Sequence, residues 1–318
     1  MNVVVTGGAG FIGSHLVDRL QGLFEKIIVL DNLSSGSIEN VRHHFGKKYF
    51  SLEAIDLKFY KDLDNIFESV ESVFHYAANP EVRVSVFDPR LHFEENLLST
   101  FNVLEACRKH DVPYIVFAST STVYGDARTI PTPEEYFPLE PISVYGGCKL
   151  ACENLLITYS KLYGIRSLIL RYANVIGPRS GHGVIFDFIN KLKKDSSVLE
   201  ILGDGLQKKS YMHVEDAVDA TVHLYKNFLT SKKDYEIYNV GNDDWITVKE
   251  IADIVVKEMG LHDVKYHFSP ATADGRGWLG DVKFMLLDIS KLKSTGWMPK
   301  MSSEQAVKSV VKYFLNRV

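Results

Sequence analysis

Tyr145 and Lys149 stand four residues apart in the stretch SVYGGCKL, a spacing that on a helix sets a phenol and an ammonium on one face. A nearby positive charge favours the phenolate and lowers a tyrosine pKa from about 10 toward neutrality, so Tyr145 becomes a usable general base or acid. Twenty-five residues before it comes Thr120, in STSTVYGD directly after the apolar run Tyr114 to Ala118, and its hydroxyl can share the proton. In a chain with 16 tyrosines such a pair also arises by chance, so its meaning depends on what lies beside it.

The first thirty residues supply that neighbour. NVVVTGGAGFIGSHLVDRL reads as strand, glycine-rich turn and helix, with Gly7, Gly10 and Gly13 in the turn. Without side chains there, the backbone turns tightly and approaches a pyrophosphate, whose charge meets the open N–H groups of the helix start. A second apolar run, Lys26 to Leu30, ends in Asp31, eighteen residues beyond Gly13. A carboxylate there accepts from both adenosine ribose hydroxyls and repels a 2′-phosphate, so the expected cofactor is NAD rather than NADP.

The elements that must position these residues alternate. Further strands are predicted at Tyr49 to Ala54, Ser72 to Tyr76, Tyr114 to Ala118 and Arg166 to Leu170, with helical patterns over Asn96 to His110 and Lys149 to Leu162. That order predicts an α/β fold, a Rossmann-type doubly wound parallel sheet with ligands at the carboxyl ends of its strands. The division expected is an NAD-binding unit over 1–172, to which 211–240 returns, and a smaller substrate-binding unit mainly over 173–318. A chain of 318 residues with 46% hydrophobic content can bury such a core.

Composition excludes several classes. Thirty-six basic and forty acidic residues leave a net charge of −4 with no basic block, which argues against nucleic acid as partner. No segment offers about 18 uncharged apolar residues, so neither a signal peptide nor a membrane span is expected, and the location predicted is the cytoplasm. Cys107, Cys148 and Cys152 show no CxxC spacing and no ligand set, so no disulfide framework or metal is expected. His75, Arg171, His182 and His213 read as structural, whereas Arg83 and Arg179 read equally as phosphate contacts or ion-pair partners.

Taken together, GGAGFIG, the Asp31-Asn32 pair in LDNLSSG, FHYAA, the Ser/Thr-rich strand end before VYG, and YGGCK resemble the extended short-chain dehydrogenase/reductase superfamily. RYANVIGPR, GDGLQKKSYMHVEDAVDA and YNVGNDDWITVKEIA are similar to its sugar-nucleotide branch, above all the UDP-glucose 4-epimerase family. The resemblance implies that Gly7, Gly10, Phe11, Ile12 and Gly13 hold the NAD pyrophosphate, Asp31 and Asn32 the adenosine ribose, and Ser35 and Gly36 the nearby phosphate or ribose. It implies that Asp56 and Leu57 flank adenine, and that Ala77, Ala78 and Asn96 line the cofactor's path. Tyr145 and Lys149 match the catalytic pair, with Thr120 at the position of the catalytic serine or threonine. Asn174, Val184, Gln207, Lys209 and Arg276 fall where the family grips a nucleotide diphosphate, although Lys209 replaces the usual arginine and loses its bidentate fork. The family further implies a nucleotide-sugar substrate such as a UDP-hexose and a homodimer built on the helices 96–110 and 149–162. Its 4,6-dehydratases carry an Asp-Glu pair directly after the strand-end threonine, and its decarboxylases a glutamate; here Ser121 and Thr122 stand there. The chemistry expected is therefore reversible C4 oxidation and re-reduction, a 4-epimerisation; other nucleotide-sugar epimerisations, a reductase and an idle NAD-binding regulator are the alternatives.

Overall fold

A computed structural model of the chain describes residues 1–63 and 65–316. Its centre is a seven-stranded, wholly parallel sheet built from β1 (Asn2–Thr6), β2 (Lys26–Asp31), β3 (Phe50–Ala54), β4 (Val70–His75), β5 (Tyr114–Thr120), β6 (Arg166–Tyr172) and the strand Tyr235–Val240. The spatial order is β3, β2, β1, β4, β5, β6 and then Tyr235–Val240, so the chain reverses direction across the sheet between β1 and β4. Such a reversal opens a crevice above the strand ends, where doubly wound folds bind ligands.

Successive strand residues point to opposite faces, and both faces are apolar. Val3, Val5, Ile27, Val29, Phe74, Val116, Leu168 and Leu170 join one core with Leu16, Val17 and residues of the helix Val214–Thr230. Val4, Ile28, Leu30, Val73, Ile115, Phe117 and Ile169 join the other, covered by Val103, Leu104, Cys152 and Leu156. The helices Ser99–Lys109 and Val144–Tyr163 thus lie on the same face. The first is preceded by a π-helical stretch, Phe93–Leu98, where a regular helix from Asn96 was expected.

A separate core lies outside the sheet. Phe188, Ile189, Leu199, Ile201, Ile251, Val255, Val307 and Val311 pack the helices Val184–Lys194, Val248–Glu258 and Ser303–Leu315 against the paired strands Val198–Leu202 and Lys265–Ser269. Thr247 and Ser302 begin the last two of these helices with reciprocal capping boxes, closed by Glu250 and Gln305. Among the described residues, no helix is long and apolar enough to cross a membrane.

Candidate active site

A cleft of about 710 Å³ runs along the carboxyl ends of the strands. At one end the turn after β1 forms its wall. Gly7 has φ +66, and a Cβ on Gly13 would lie 2.1 Å from the Gly7 carbonyl oxygen, so the turn closes on the helix Phe11–Leu20 only because neither residue has a side chain. That helix starts at Gly10 with no side-chain cap and no acidic residue in its first turn. Its first N–H groups remain available to an anion.

At the end of β2, the Asp31 carboxylate accepts from Ala9 N at 3.0 Å and Leu33 N at 2.8 Å. Burial nevertheless raises its pKa, because desolvation outweighs those bonds. Asn32, Ser35, Asp56, Leu57, Ala77 and Ala78 continue the lining. A glycine cradle, an uncapped helix start and a held carboxylate are the donor and acceptor set that a dinucleotide's pyrophosphate and ribose need, so the residues fit NAD.

Where β5 ends, Thr120, Tyr145 and Lys149 share the cleft. Ser143 caps the helix Val144–Tyr163 by accepting from Gly146 N at 3.1 Å, which places Tyr145 in its first turn. Thr120 Oγ1 accepts from Thr122 N at 3.1 Å and faces the same cleft as the Tyr145 phenol. Lys149, only 2% exposed, donates to Ala118 O at 2.9 Å and lies 4.6 Å from the Phe117 ring centroid.

The electrostatics differ from the sequence expectation. Burial pushes the Tyr145 phenol up to about 12, partly offset by the neighbouring Thr120 side chain. Lys149 is itself brought down to about 8 by desolvation, and its ammonium is turned to a backbone carbonyl. The protein alone therefore holds Tyr145 as an acid, and a lower value requires further positive charge in the cleft.

Asn174, Val184 and Lys209 line the other end. Lys209 Nζ donates to Asp281 Oδ1 at 2.6 Å, in a pair whose carboxylate is 2% exposed, so this cation is already matched.

Four of the expected residues lie outside the lining. Asn96 is buried and ties down the loop after β4, accepting from Asn79 N at 2.7 Å and donating to Asn79 O at 3.2 Å. Gly36 backs the Asp31 carboxylate, to which a Cβ would approach within 2.8 Å. Gln207 donates to Leu202 O at 2.9 Å. Arg276 is held by Asp274, Asp126 and the Asp281 carbonyl.

Sequence reasoning left other residues at or beside the site unassigned. Ser85 Oγ accepts from Tyr145 N at 3.1 Å, and the buried His92 ring packs edge-on against Tyr145 at 5.6 Å. Both lie in 81–98, where no motif marks them. Trp278 lines the cleft between Lys209 and Arg83, whose cationic ends lie 5.5 and 5.9 Å from its ring. His75, read as structural, is buried between Thr6 and Thr100, and desolvation lowers its pKa to about 3, so it stays neutral.

Residues 3–241 match the NAD dependent epimerase/dehydratase family. A putative UDP-glucose 4-epimerase of Methanocaldococcus jannaschii is 37% identical over 99% of this chain and 98% of its own length. Among solved structures, one described as a UDP-galactose 4-epimerase shares 48% identity with a TM-score of 0.88, covering all of both chains. The UDP-glucose 4-epimerase of Thermus thermophilus in complex with NAD shares 35% identity at a TM-score of 0.86, again over both full chains. Other solved relatives are named for UDP-N-acetylglucosamine and for UDP-glucuronic acid.

Proposed function

This chain belongs to the NAD-dependent epimerase/dehydratase family of the extended short-chain dehydrogenases/reductases, and within it we propose that the protein is a UDP-hexose 4-epimerase interconverting UDP-galactose and UDP-glucose. The observation that carries this reading is the strand end itself. Thr120, Ser121 and Thr122 meet Tyr145 and Lys149 in one cleft with no carboxyl group among them. Dehydration or decarboxylation needs a further acid or base at the keto sugar. The carboxylates that do line the cleft are engaged elsewhere: Asp31 with backbone N–H groups, Asp56 with Lys58, Glu95 with Asn79 and Asp281 with Lys209.

When bound, NAD supplies the acceptor and donor of the C4 hydride and, in its oxidised form, a positive charge in the cleft. Gly7, Gly10, Phe11, Ile12 and Gly13 would hold its pyrophosphate, and Asp31 its adenosine ribose. Tyr145 takes the O4 proton of the sugar as C4 becomes a carbonyl, then returns it to the opposite configuration. Thr120 faces the same cleft, where its hydroxyl would share the proton. Lys149 contributes its charge from a site that solvent does not screen.

The charge pattern favours a neutral hexose over a uronic acid. Among the described lysines and arginines lining the cleft, Arg179 is paired with Asp18 and Lys209 with Asp281; Lys149 alone has no carboxylate within ion-pair distance. A uronate carboxylate would have to take Arg179 or Lys209 from its partner or reach the buried Lys149, which is turned to the Ala118 carbonyl. We further propose a homodimer through the helices Ser99–Lys109 and Val144–Tyr163, whose flank leaves Phe93, Phe101, Leu162 and Tyr163 exposed; light scattering of a monodisperse sample tests it.

The deciding experiment is proton NMR of the purified protein with UDP-galactose and no added cofactor. Appearance of the UDP-glucose anomeric signal supports 4-epimerisation with retained NAD. No conversion of UDP-galactose with added NAD, alongside turnover of an N-acetylated or uronic UDP-sugar, overturns the hexose assignment.

A further inference from the structure

Outside the cleft, the surface between the helix Phe11–Leu20 and the single-turn helix Arg42–His44 brings three ligand-type side chains together. His43 Nε2 and His44 Nε2 each lie 2.7 Å from the same oxygen, Oδ1 of Asp18. The three candidate ligand atoms lie within 4.8 Å of one another. We propose that Asp18, His43 and His44 form a binding site for one divalent transition-metal ion of borderline softness, such as Zn²⁺, with water completing its coordination.

The surroundings are those of a ligand set. His44 is buried, and its far nitrogen, Nδ1, shares a hydrogen bond of 2.8 Å with Tyr49 Oη, which fixes the ring and directs Nε2 at Asp18. Metal-bound histidines commonly have their second nitrogen held in this way. Arg179 binds the other Asp18 oxygen, Oδ2, at 2.8 Å and leaves Oδ1 facing the imidazoles. The two imidazole ring centroids lie 4.1 Å apart, so both rings converge on the one carboxylate. With no ion, both rings must carry Nε2 protons to bond the one carboxylate oxygen. A divalent ion takes the place of the two Nε2 protons, which move to Nδ1 of each ring so that both ligands stay neutral imidazoles, with Tyr49 Oη accepting from His44 Nδ1.

The fit requires little movement. Tetrahedral ligands at about 2.0–2.1 Å from zinc stand roughly 3.3 Å apart, so each imidazole withdraws from Oδ1 by about 0.6 Å. The His43 side chain is 51% exposed, which gives both freedom to move and an entry path. Arg179 opposes a second cation beside it, so the affinity expected is micromolar rather than that of a structural zinc.

The test is calorimetric titration of Zn²⁺ into the full NAD-loaded chain, with the visible spectrum of added Co²⁺ as a second readout. The expected result is one ion per chain with micromolar Kd, weakened about tenfold or more in both His43→Ala and Asp18→Asn. Because His43 is exposed, its variant should fold, and a far-ultraviolet circular dichroism spectrum checks this. Absence of one-site binding at about millimolar Zn²⁺, or binding that His43→Ala leaves unchanged, overturns the site.

Discussion

Tyr145 and Lys149 show how far a side chain's chemistry depends on packing. Their spacing is visible in the sequence, but the direction of the Tyr145 shift is not: the phenol is raised by desolvation, and Tyr145 is contacted by His92 and Ser85 from a segment without a motif. Removing the hydroxyl in Tyr145→Phe is expected to lower kcat by about 10²–10⁴-fold while NAD stays bound; epimerisation at the wild-type rate would end the proton-transfer role. Lys149 allows a test with a worked sign. Its folded pKa, about 8, lies below the ordinary lysine value of 10.5, so between these pH values the unfolded chain binds more protons and stability rises with pH. The cost of the buried ammonium is fully present below pH 8 and is relieved as pH rises toward 10.5. Lys149→Met, though expected to lose activity, should therefore melt no lower than wild type at neutral pH, with its relative advantage shrinking across that window. A lower melting temperature at neutral pH would show that the Ala118 contact outweighs the buried charge.

At the scale of elements, local pattern was legible and distant pairing was not. The glycine turn, the helix after it and Asp31 sit within one short stretch, so type and spacing alone describe them. The pairs Arg179–Asp18, Lys209–Asp281 and Arg276–Asp126 join residues far apart in the chain, and only the folded structure shows that these cations are matched. The π-helical stretch Phe93–Leu98 was also invisible, because an extra residue in one helical turn leaves no clear periodic mark. Two predictions belong here. Gly13→Ala puts a methyl group against the Gly7 carbonyl and should cost about 1–3 kcal/mol and deplete bound NAD, measured by ultraviolet absorbance of the protein as purified. Behind the end of β5, Arg171 and Glu153 form a buried pair at 2.7 Å, and Glu153 also accepts from Ser119, beside Thr120. Arg171→Met leaves that carboxylate unpaired and should cost about 3–5 kcal/mol in urea unfolding, with much of the loss recovered in Arg171→Met/Glu153→Gln.

For the whole molecule, two separately packed regions face one cleft. Ile251, fully buried in the smaller core and absent from the cleft wall, offers a way to loosen that region alone. Ile251→Ala should destabilise by about 2–5 kcal/mol and raise KM for the nucleotide sugar while NAD content is kept. Loss of NAD together with substrate binding would mean that the two cores unfold as one. The strand order bears on how such a chain leaves the ribosome. Of the seven strands β1 is synthesised first yet lies inside the sheet, third from the β3 edge between β2 and β4, and the outermost strand Tyr235–Val240 is made last. A nascent chain released by residue 60 holds β1, β2 and β3 as a half-sheet with β1 at its open edge, apolar on both faces, until β4 arrives. Synthesis itself thus leaves an apolar, unpaired strand edge open for the time needed to translate the following segment.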